Sequence, residues 1–353
     1  MRSVSRRALL IASLKLQSGW LAAQTAKLLP RRGEFVQFQD PLTETFITRL
    51  TSPASAALLP LPENRFVSIK DRFVVISSNR SGAFAPYQVD LRSGLVRQLT
   101  DTAKLRPRSL MLDATERNLL FLDGTDLRVY SFGSKRVRTL SEGVDGFTMG
   151  NDFRPDNKAE PGNLVVLRGD KVQNLRGDVI ASDGFTSCLL SPDNSTVLLQ
   201  RGAGTDVEFL FAGSRAAGSG VKSLAKGPIS NPFWTADSQA IAYLREFEIR
   251  QVSVPDGHDE LIAKTTMFAA FAPNRDGSVF VGASRSKAQP SVVIMVRSGR
   301  SELVLCGHRA TDAAAVTPVF SPDSRRVYFQ SDWQGNSAIF SVNTETIVES
   351  TLN

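Results

Sequence analysis

Histidine is nearly absent from this chain: 353 residues contain two, His258 and His308. A metal centre built on three imidazoles is therefore excluded by arithmetic. Zinc-type spacing is missing too, because the only cysteines are Cys188 and Cys306. Those two could pair in an oxidising compartment. However, Cys188 heads one apolar, strand-like run and Cys306 ends another far along the chain, so two separate buried thiols are the expectation. Long apolar runs are also lacking, and none approaches the roughly 20 residues that a membrane-spanning helix needs. Beyond the N-terminus no stretch sustains a helical period. Nothing offers a nucleophile–base pair, a Gly-rich phosphate loop or a paired-carboxylate signature.

Charge of one sign looks abundant, with a formal +7 and a pI near 9.6. Arg2, Arg6, Arg7 and Lys15 lie in the first 23 residues, which hold no acid; without them 38 basic residues face 35 acidic ones. The remainder carries about +3 and no dense Lys/Arg run with interleaved aromatics, which argues against a nucleic-acid partner. Residues 1–23 read as an export signal: a basic start, the apolar run 8–14, and the small pair Ala22-Ala23. Ser5-Arg6-Arg7-Ala8-Leu9-Leu10 resembles the twin-arginine signal, although Lys15 interrupts the apolar stretch; a short amphipathic helix is the alternative. Residues 24–34 read as a linker and 35–353 as one domain. A periplasmic or secreted monomer follows, with no membrane span once the signal is removed.

What the chain does contain is a repeat of short strands. Runs 73–77, 118–122, 197–200, 240–244 and 327–330 are rich in β-branched and aromatic residues, and each follows a polar turn. Ser191-Pro192-Asp193-Asn194-Ser195 and Ser321-Pro322-Asp323-Ser324-Arg325 are the clearest turns, with looser copies elsewhere. Pro presets φ, Asp bonds its own backbone two residues on, and Asn or Gly tolerates the left-handed region. The markers Asp71, Asp113, Asp156, Asp193, Asp237, Asp276 and Asp323 are 42, 43, 37, 44, 39 and 47 residues apart. Seven units near this length, each of several strands, predict an all-β, seven-bladed β-propeller; a linear β-solenoid would have shorter, more regular rungs.

In the fourth unit the strands are expected at 188–190, 196–200, 208–211 and 221–224, with Gly218-Ser219-Gly220 turning the third into the fourth. The first has 75–77, 87–90 and 95–99. The seventh lacks an obvious fourth strand. The N-terminal run 46–51 looks like the outer strands of other units and is predicted to close the ring, with the tail 346–352 as competitor.

Phe38-Gln39-Asp40-Pro41-Leu42-Thr43, Ser78-Asn79-Arg80-Ser81-Gly82, Asn231-Pro232-Phe233-Trp234, Cys306-Gly307-His308 and Phe329-Gln330-Ser331-Asp332 stand out between the turns. Together they resemble the oligogalacturonate lyase family, seven-bladed propellers related to the Tol-system propeller, and the resemblance runs from about Phe35 to the C-terminus. It implies β-elimination on short pectin fragments, with a divalent metal on histidines and a glutamine neutralising the uronate carboxylate. The ligand positions are not retained. The family's histidines fall at Asn231, Ala315, Thr317, about Ala270 and about Arg201, and its glutamine near Asp312. No metal and no cofactor are expected. His308 matches a family histidine but suits a structural bond to a loop carbonyl, and His258 lies in a polar turn.

Propeller geometry places the Asp turns on one face and the lost ligand positions on the other. On that second face Arg80, Arg168, Arg201, Arg245 and Arg285 end or follow the second strand of five units. Converging guanidinium groups would bind carboxylates in pairs of hydrogen bonds; the plainer reading is that they are solvated or ion-paired. Asn231 offers an amide, Trp333 a stacking surface, and Trp234 is expected between blades. Two functions stand. One is an exported, catalytically degenerate lyase-like propeller that binds an acidic oligosaccharide or an envelope protein through Arg80, Arg168, Arg201, Arg245, Arg285, Asn231 and Trp333. The other is an active pectin-degrading lyase with arginine in place of the metal.

Overall fold

A computed structural model of the protein describes residues 33–153, 155, 163–214 and 220–344. The export signal, the Asp156 turn, Gly218-Ser219 and the tail 346–352 lie outside the described residues. Each repeat forms a separate antiparallel sheet, and the seven sheets make an all-β, seven-bladed propeller. Blade 4 is representative: Ser187–Leu190, Thr196–Ala203, Asp206–Gly213 and Lys222–Gly227 run from the axis outward. Strands two and three carry the burial, as in Phe73–Ser78 of blade 1 and Asn118–Asp123 of blade 2. Among the described residues no helix is long and apolar enough to cross a membrane.

The turn chemistry recurs with one partner set. In blade 4, Asp193 accepts from Ser191 Oγ at 2.6 Å and Ser195 N at 3.0 Å, while Ser191 Oγ accepts from Thr196 N at 3.0 Å. Blades 5 and 7 repeat it with Thr235/Asp237 and Ser321/Asp323. Two of the six markers among the described residues are displaced within the turn. Asp113 takes the place of Ser191, accepting from Asn118 N five residues on at 3.1 Å. Asp71 takes the left-handed place of Asn194, with φ of 49° against 61°. Its carboxylate instead accepts from Tyr328 Oη, joining blade 1 to blade 7 at 2.5 Å. Any Asp before a strand looks alike in sequence, so the offset of one or two residues is hidden there.

The N-terminal strand closes the ring. Phe46–Arg49 pairs antiparallel with Ala338–Asn343, setting Ile47 opposite Val342 and Arg49 opposite Phe340. Val36–Gln39 then adds a fifth strand outside it. Aromatic rings carry packing from blade to blade: Phe209 meets Tyr243 edge-on at 5.8 Å, and Phe233 meets Phe271 at 5.4 Å. Such pairs add roughly 0.5–1.5 kcal/mol each beyond area burial. Trp234 does sit between blades, its Nε1 donating to Leu189 O at 3.0 Å.

Candidate binding chamber

The innermost strand of blade 1 is broken. Ala57–Leu58 pairs with Ser77 and Ser78, and Val67 bridges Val74, but residues 59–65 leave the sheet between them. Pro60 and Pro62 have no N–H for a ladder, so the excursion follows from the sequence. It is fixed by Leu59 N donating to Gln330 Oε1 at 2.7 Å, Leu61 N to Arg108 O at 3.0 Å, and Asn64 Nδ2 to Leu110 O at 3.1 Å.

This segment lines one wall of a cavity of about 460 Å³. The connection into blade 2, with Arg106 and Arg108, and the inner strands of blades 3 and 4, with Phe147 and Cys188, supply the rest. Most of the lining is apolar, with a few charged groups set into it. That size and make-up fit a small-molecule site. Glu63 also lines a second cavity of about 180 Å³, beside Asn151, Ser191 and Trp234. It therefore stands between two chambers of the central channel.

Glu63 borders both chambers and is itself exposed to water. Desolvation pushes its carboxyl above the usual carboxylate range, while a backbone hydrogen bond and the charge of Arg108 pull the other way. Arg108 donates from Nη2 to Thr317 Oγ1 at 2.9 Å, and its buried Nε has no partner. Burial lowers the pKa of the Arg108 guanidinium, with Glu63 opposing. Arg65 is affected in the same direction and donates to Asn151 Oδ1 at 2.7 Å. Burial pushes the Cys188 thiol up to about 12, so it is no nucleophile at neutral pH.

The strand-end residues do not gather at this chamber; none of the seven lines it. Arg80 is held by Glu34 at 2.7 Å and lies over the Tyr87 ring. Arg168 donates to Ser141 Oγ. Arg201 is gripped by Glu208 at 2.7 Å and by Asp183. Arg245 reaches Asp259 at 3.5 Å and lies over Tyr243. Arg285 is exposed and lies over Phe247, which with Arg245 borders a rim cleft. Trp333 lies under Arg309 and edge-on to Phe38. Asn231 is half-buried on a bulge of the blade 5 inner strand, with φ of 51°.

The chamber residues Glu63, Arg106 and Arg108 were missed by sequence reasoning. The only available signal was Leu59-Pro60-Leu61-Pro62-Glu63-Asn64, a stretch with no copy in other repeats. His308 is buried and structural: Nε2 bonds Ser284 O at 2.8 Å and Nδ1 accepts from Ala310 N at 3.0 Å. His258 is exposed in its turn. At the other lost ligand positions, Asp312 caps the short 3-10 turn Ala313–Ala315 and Thr317 receives Arg108. Among the described residues no three His, Cys, Asp or Glu side chains cluster as a metal site. The lost ligand positions offer one amide, one hydroxyl and the Asp312 carboxylate, which caps its own turn, with no imidazole among them. This set does not fit the histidine-held metal that the resemblance implies.

No protein-family model and no curated protein matches the chain. Solved structures do. An oligogalacturonate lyase in complex with manganese superimposes with a TM-score of 0.77 at 16% identity, covering 90% of this chain and 98% of that one. An oligogalacturonate lyase from Vibrio parahaemolyticus gives 0.75 at 16% identity, with the same coverage. This protein has the seven-bladed fold of those lyases over nearly its whole described length.

Proposed function

We propose that the protein is an exported, periplasmic or secreted propeller of lyase-like fold that binds an acidic oligosaccharide in its central channel without metal-dependent elimination. One observation carries this reading. Arg108 lines a largely apolar chamber and donates from Nη2 to Thr317, where the lyase family has histidine. A guanidinium so placed offers a carboxylate a charge-assisted hydrogen bond in a low-dielectric site. The rim arginines, largely neutralised by their own acids, would steer rather than grip.

The test is titration of trigalacturonate into the protein with and without manganese, following heat and the absorbance of unsaturated product. Binding without product is expected, weakened about 10–100-fold by Arg108→Gln, the loss of one hydrogen bond to a charged group. Unchanged binding in that variant would remove the chamber from the reading.

A specific feature favours the second reading, an active lyase using arginine: Glu63, a candidate base, shares the chamber with Arg108. Product formation abolished by both Glu63→Gln and Arg108→Gln would establish it and displace the binding-only reading.

A further inference from the structure

Four charged side chains line the larger chamber: Glu63 and Asp145 against Arg106 and Arg108. They are not equivalent. Asp145 accepts from Gly169 N at 2.8 Å through its carboxylate, and its carbonyl receives Arg106. Glu63 and Arg108 influence each other by charge, yet no ion pair within 4 Å joins them among the described residues. The Arg108 guanidinium and the Glu63 carboxyl, with no ion pair between them, thus line one chamber. The neutral Cys188 thiol completes the titratable groups that line the larger chamber, and Arg65, two residues along the same segment, lines neither chamber. The smaller chamber contributes none besides Glu63 itself.

As it stands this set is balanced. A ligand carboxylate entering to meet Arg108 adds a second negative charge opposite one guanidinium. Two carboxylates in an enclosed site share a proton rather than both ionise. Neutral Glu63 then has an O–H to donate to the ligand carboxylate, and the set is balanced again. The apolar walls, from Leu61, Leu105, Leu122, Phe147 and Leu189, suit the faces of one ring.

We propose that the chamber binds a single carboxylate carried on a ring, between Arg108 and Glu63, and that each binding event takes up one proton from solvent onto Glu63. The inference deepens the preceding section by using the same site, and it names the shared chemistry of two sources: the terminal uronate of an acidic oligosaccharide, or a free cyclic acid.

Isothermal titration of the protein at pH 6 to 8, in two buffers of different ionisation enthalpy, tests it with trigalacturonate, galacturonate, cyclohexanecarboxylate and neutral galactose. The expected result is uptake of about one proton per carboxylate bound, with affinity falling towards tenfold per pH unit at the alkaline end, and no binding of galactose. Glu63→Gln, which keeps a donor without a titrating group, is expected to bind with no proton uptake and a flat pH profile. Cyclohexanecarboxylate binding with uptake while trigalacturonate fails would sustain the chamber and overturn the oligosaccharide reading. Trigalacturonate binding without uptake would do the reverse. Binding of no carboxylate, or uptake unchanged in Glu63→Gln, overturns the proposal. Should that variant misfold, proton uptake by the unaltered protein decides alone.

Discussion

The hydrogen bonds of His308 define its protonation state. Ala310 N–H can only donate, so Nδ1 must accept and the proton sits on Nε2, facing Ser284 O. A second proton would set two donors against each other in a buried site. Burial accordingly lowers the imidazole pKa, opposed by the Ser284 carbonyl and by Asp332. The sign follows from linkage. The unfolded chain binds the extra proton below an ordinary pKa of about 6.5, the folded one only at lower pH, so stability is lost as pH falls through that value. Urea midpoints measured from pH 7.5 to 5.5 should therefore decline, and His308→Gln should flatten the decline. The same substitution should cost about 1–3 kcal/mol at pH 7.5 by disturbing two buried backbone partners. An equal decline in the variant would mean that another group controls this window.

At the scale of strands and turns, the contrast between what was legible and what was not follows the range of the interaction. Serine, threonine and aspartate bonding their own backbone within five residues are local, so the repeat and its blade count could be read from sequence, and the closing strand followed from its likeness to the outer strands of the other units. The arginines could be read as residues but not as ion pairs, because Asp183 and Glu208, which hold Arg201, come from a neighbouring connection and the next strand. The chamber was hidden for a related reason: residues 59–65 break the inner strand of a single blade, and repetition cannot reveal a feature that occurs once. Closure offers a direct measurement. Ile47 is buried at 2% exposure in the main core cluster, on the N-terminal strand that pairs directly with Ala338–Asn343. Ile47→Ala should cost about 2–5 kcal/mol. If the strand closes one cooperative unit, the urea midpoint should fall with unchanged slope and a single transition. A separate early transition confined to blade 7 would show that closure does not couple the ring.

Over the whole molecule, the ring is held shut by strand pairing between residues nearly 300 positions apart, Thr48 opposite Ser341 among them. No covalent link shares that task. Cys188 faces the channel from the inner strand of blade 4, Cys306 is buried in the outer strand of blade 6, and both are free thiols. A disulfide closing so long a loop would contribute about 2–4 kcal/mol. Its absence leaves hydrogen bonds, aromatic contacts between blades and the Tyr328–Asp71 bond across the first and last blades to define the circle. Thermal melts with and without dithiothreitol should therefore superimpose. Both thiols should react slowly with a thiol reagent at pH 8 in the folded protein, since desolvation raises each pKa, and rapidly once denatured. A melt that drops by several degrees under reduction would instead show that the two strands approach closely enough to cross-link, which this blade order forbids.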